Sequence, residues 1–124
     1  MSLPVISVYT WDDAVRDGTF QEVTPTAREA GFRFRVAVAP FAWEKAVALE
    51  PDAPADQSET GRLWDILTLA RFAIQRSDPD PHRRAFTVSV ARAHGSETVA
   101  LSVGLDVNPF TGEPAITIFH ALDD

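Results

Sequence analysis

The sequence contains no cysteine. Disulfide staples, thiolate metal sites and cysteine nucleophiles are therefore excluded. The six glycines are scattered at turns, so no Gly-rich phosphate loop exists. No Gly-x-Ser-x-Gly elbow surrounds Ser58, Ser77, Ser89, Ser96 or Ser102. The longest apolar stretch, Leu63 to Ile74, is broken by Asp65 and Arg71, so no membrane span is expected. The first ten residues lack a basic start and a long apolar run, so no signal peptide is expected. Together these absences point to a cytoplasmic protein with no membrane association.

What is present fits one globular domain over residues 1–124. The chain is 45% hydrophobic and 23% charged, so enough apolar surface exists to offset chain entropy. Three Trp and eight Phe supply core-filling bulk. The net charge of −7 disfavours direct nucleic-acid binding and suits solubility or a basic partner.

The pattern predicts an α+β fold: one long buried helix and several short ones on an antiparallel sheet. Val5 to Tyr9 reads as a strand, and Thr10 as the cap of a short helix to Arg16. Asp12 and Asp13 suit the first turn of that helix. Phe20 to Val23 suggests a second strand. Thr24-Pro25 opens a helix that Gly31 stops. Phe32 to Val38 alternates as a strand, and Pro40 starts a helix to about Leu49.

Residues 50–60 read as an acidic surface loop, with Glu50, Asp52, Asp56 and Glu59 and no base. Glu59 to Arg76 carries Leu63, Ile66, Leu67, Ala70 and Ala73 on one face, widened by Trp64, Leu69 and Phe72. That predicts a helix buried on most sides. Three strands follow, Ala85 to Arg92, Thr98 to Val107 and Ala115 to Ala121. Their short joins predict a three-stranded antiparallel meander.

Two sets of residues are candidates for function. Trp64, Asp65 and Arg71 on the long helix, with His82, Arg83 and Arg84 after it, form a candidate pocket or interaction cluster. The basic trio suits a phosphate or carboxylate, or simply a helix C-terminus. The second set is the face of the meander opposite its apolar side: Thr87, Ser89, Ser102, Thr117 and Phe119. Small hydroxylated residues there leave room for a flat surface, either a helix layer of this chain or a second copy or other protein partner. No catalytic residue, metal site or cofactor is assigned. His82, His94 and His120 lack ligand spacing. Asp123 and Asp124 read as a solvated tail.

Several strings carry a resemblance: Val8-Tyr9 with Ala14 and Asp17-Gly18, Thr26-Ala27-Arg28-Glu29-Ala30-Gly31-Phe32, and Gly61-Arg62-Leu63-Trp64-Asp65-Ile66-Leu67 with Ala70-Arg71. The chain resembles a family of small uncharacterised bacterial proteins associated with plasmids, phages and other mobile elements. The resemblance implies a genomic context and no activity. It favours a non-enzymatic interaction or accessory protein. The alternative is a small hydrolase or transferase with a pocket near the long helix.

Overall fold

The computed structural model describes residues 8–76 and 83–124. Helix α1 (Trp11–Arg16) begins where Thr10 and Asp13 cap each other. The Asp13 N–H donates to Thr10 Oγ1 at 3.1 Å, and the Thr10 N–H to Asp13 Oδ2 at 3.0 Å. This satisfies donors that the first turn leaves unpaired. Of the expected strand Val5 to Tyr9, residues 5–7 lie outside the described residues, and Val8 and Tyr9 are not in a strand.

Strand β1 (Gln21–Glu22) leads into α2 (Thr24–Glu29). Gly31 ends that turn with φ +102°. A Cβ added there would lie 2.7 Å from the Arg71 guanidinium carbon, so both backbone and neighbour select glycine. Next come β2 (Arg35–Val38) and α3 (Pro40–Ala46), then α4 (Glu59–Gln75), capped by Ser58. Strands β3 (Arg83–Arg92), β4 (Gly95–Val107) and β5 (Pro114–His120) follow, with a short 3-10 turn at Ala121–Asp123.

The five strands form one sheet in the order β1-β2-β5-β4-β3. β3 pairs antiparallel with β4, and β4 antiparallel with β5. The expectation of a wholly antiparallel sheet is corrected at its centre. β2 runs parallel to β5, with Val36 opposite Ile116 and Val38 opposite Ile118. Parallel neighbours need a long crossover, and α3, α4, β3 and β4 together supply it.

Helices α2, α3 and α4 cover one face. Val36, Val88, Leu101, Val103 and Ile118 of the sheet meet Ala27, Ala42, Ile66, Leu67 and Ala70 there. The expectation that α4 is buried on most sides is also corrected. Phe72 is 59% exposed and Ile74 40%, because a single helical layer leaves its flanks as well as its outer side in water. On the opposite face, among the described residues, lies α1, where Trp11 packs with Ala37 and Ala115.

Candidate interaction surface

The face that carries α1 is divided in two. Over β2 and β5 it is closed: Ala37, Ala115 and Thr117 are buried. The Trp11 indole N–H donates to Thr117 Oγ1 at 2.9 Å, and the Arg35 guanidinium lies 4.8 Å above the Trp11 ring. Over β3 and β4 no other described residue covers the same face. Ala85, Thr87, Ser89, Thr98 and Ala100 are exposed, and Ser102 and Gly104 half-buried. Register fixes this patch, since Ala85 stands opposite Ser102, Thr87 opposite Ala100 and Ser89 opposite Thr98.

The five residues expected on this face therefore part company. Thr87 and Ser89 lie in the open patch and Ser102 at its inner border. Thr117 is 1% exposed and beneath α1, so it is unavailable to a partner. Phe119 is half-buried under Arg83, whose guanidinium sits 4.4 Å from the ring.

The candidate pocket residues face different surroundings. Trp64 is half-buried and Asp65 exposed near the start of α4. Arg71 lies against Gly31. Arg83 pairs with Asp124 at 2.8 Å, and Arg84 donates to the Ile74 and Arg76 carbonyls. His82 lies outside the described residues. His120 Nδ1 accepts the Leu122 N–H at 3.1 Å. Asp65, Arg71, Arg83, Arg84 and His120 do not line the hollows beside Tyr9, Lys45, Asp106 and Pro25.

Charge is spent on two clusters that composition did not reveal. Arg62, 3% exposed, donates to Glu50 at 2.8 Å, to the Ala48 and Ala91 carbonyls at 2.7 and 2.9 Å, and to Gln57 at 3.2 Å. Arg92 also reaches Glu50, at 2.6 Å, and Glu97, at 2.9 Å. The Arg62 hydrogen bond, with Arg92 beside it, holds the Glu50 carboxyl down at about 2. The acidic surface loop is thus pinned at Glu50 to α4 and β3. The available signal was spacing: Arg62 stands one turn before Ile66, on the buried side of α4.

In the second cluster Arg35 binds Glu22 through two nitrogens, at 2.9 and 3.0 Å, and Asp12 at 2.6 Å. Asn108 donates to Asp12 at 3.1 Å. Arg35 keeps the Asp12 and Glu22 carboxyls below their ordinary range. This ties α1, β1, β2 and the β4–β5 turn together. The C-terminal acids are not a solvated tail either. Asp123 accepts the Phe41 and Ala42 N–H groups at 2.8 and 3.1 Å, capping α3.

Among the described residues no group of His, Asp and Glu is placed to hold a metal ion, and no helix is long and apolar enough to cross a membrane. No protein family, curated protein or solved structure matches the chain.

Proposed function

We propose that this chain is a non-enzymatic interaction protein, a cytoplasmic accessory factor of a mobile genetic element. It meets a protein partner with the open half of its sheet. The observation that carries this reading is the uncharged, small-sided patch of Ala85, Thr87, Ser89, Thr98 and Ala100. A sheet face left to water ordinarily carries longer polar side chains, whereas Ala, Ser and Thr keep side-chain entropy loss low when a surface closes over them. The net charge of −7 adds long-range attraction for a basic partner and repels nucleic acid. The dispersal of Asp65, Arg71 and His120 favours this reading over a hydrolase or transferase.

The test is affinity capture from the native host with the wild-type chain and with Ala100→Arg. The arginine adds bulk and charge at the centre of the patch without touching the core. A partner retained by the wild type and lost with the variant is expected. Identical captured sets for the two chains would reject the patch as the contact surface.

A further inference from the structure

The outer edge of the sheet carries a second recognition surface. In an antiparallel ladder the main-chain groups of successive residues point alternately into and away from the pair. On β3 the outward phase is marked by Ala85 and Ala91. Their carbonyls accept from α4, Ala91 from Arg62 at 2.9 Å and Ala85 from Arg76. Thr87 and Ser89 share that phase and are exposed. Neither main chain has a partner outside the sheet among the described residues. The edge is therefore closed at two points and open between them, centred on Val88.

Helix α4 runs beside this edge in the opposite direction, since Arg62 at its start meets Ala91 and Arg76 after its end meets Ala85. Midway between those arginines stands Leu69, partly buried, and next to it Phe72, 59% exposed. The centre of the free backbone and the centre of the exposed apolar residues thus fall at the same level of the molecule. A two-fold axis there would match each set to itself.

We propose that two copies of this chain associate through antiparallel β3–β3 pairing about Val88. Thr87 of one copy exchanges main-chain hydrogen bonds with Ser89 of the other, and the reverse. The two α4 helices lie side by side across the axis, with Leu69 and Phe72 covering their counterparts. Such an interface is isologous, as a closed dimer requires. Charge permits it despite the acidic chain: β3 contains three arginines and no acid. Of these, Arg83 is already paired with Asp124 and Arg92 with Glu50 and Glu97. The free centre of β3 with one helix alongside covers roughly 1,000 Å² at most, the range of weak, transient contacts, so association no tighter than micromolar is expected. The dimer uses the main chain of Thr87 and Ser89, whose side chains belong to the open patch, and its two sheets join into one ten-stranded sheet.

Sedimentation and light scattering across a concentration series test it. The wild type should move from the 13.6 kDa chain mass to twice that value. On the main chain Ser89→Pro removes an outward N–H, so the ladder to β4 is kept while the edge is closed. Phe72→Glu changes an exposed side chain and leaves the fold intact. Each should weaken association at least tenfold, with unchanged circular dichroism. Ala100→Arg should leave the dimer intact, which separates this contact from the partner surface. A wild type monomeric at about 0.5 mM, well above a micromolar range, or a dimer that survives either Ser89→Pro or Phe72→Glu, overturns the proposal.

Discussion

The sheet has two halves built on different terms. β2 and β5 pair in parallel and are covered on both sides, by α2 and α3 beneath and α1 above. Their burial is nearly continuous: Val36, Ala37 and Val38 are buried, as are Ala115, Ile116, Thr117 and Ile118. β3 alternates strictly, with Phe86, Val88 and Val90 buried and Ala85, Thr87 and Ser89 exposed. Parallel strands require cover on both faces, and antiparallel ones tolerate water on one. The covered half serves to hold the chain together; the open half is free for contact. Small residues mean opposite things in the two. Ala37 and Ala115 let the Trp11 ring approach, whereas Ala85 and Ala100 have no cover from the described residues.

The largest expected effect tests whether the covered half carries stability. Trp11→Ala removes the ring that seals Ala37, Ala115 and Thr117, and should cost about 3–4 kcal/mol in urea unfolding. Thr87→Ala in the open half should change stability by no more than about 0.5 kcal/mol. Comparable losses at the two sites would erase the distinction.

Arg62 sharpens it, because the open half is bare above yet firmly held below. Arg62→Ala strands the Ala48 and Ala91 carbonyls and the Glu50 carboxylate, and should cost about 3 kcal/mol by the same measurement. Gly31→Ala should cost about 1–2 kcal/mol through its positive φ, and more through the Arg71 guanidinium that its Cβ would meet. Adding Arg71→Ala relieves the steric contact and leaves the backbone strain, so the double variant should recover only part of the loss.

Acid should weaken both halves through different carboxylates. Glu50 ionises at about 2 in the folded chain against an ordinary 4.5. Its stabilising contribution is complete above the ordinary value and is lost as pH falls toward 2. Asp12 and Glu22, lowered by Arg35, act in the same direction. The melting temperature should therefore fall as pH is taken from 5 to 2. Glu50→Gln should flatten that fall by removing the Arg62 share, and Asp12→Asn should flatten it by the Arg35 share. A wild-type profile indifferent to acid would contradict the two clusters.

Much of this was legible in the sequence where the signal is local. The Thr10 cap, the Pro25 and Pro40 helix starts, the 3.6-residue period of α4 and the alternation of β3, β4 and β5 each sit within a few turns or strand residues. The parallel match of Val36 to Ile116 joins residues about eighty positions apart and leaves no local trace. The burial of Arg62 and the pinning of Glu50 depend on each other, and neither is visible from one residue alone. The open face was legible as a set of small residues. Its division was not, because only the packing of Trp11 separates Thr117 from Thr87. The strings Ala30-Gly31-Phe32 and Gly61-Arg62-Leu63 acquire structural reasons, in the Gly31–Arg71 approach and the Arg62 cluster.

Those two threonines supply the most direct test, and the absence of native cysteine gives it a clean background. Thr87→Cys and Thr117→Cys are matched in size and lie on the same face of one sheet. In native buffer a maleimide should label the T87C chain rapidly, at the rate of a free thiol. The T117C chain should label only as the protein unfolds, at a rate that rises with urea. Equal labelling of the two, or protection at position 87 in the dilute monomer, would contradict a sheet closed on one half and open on the other.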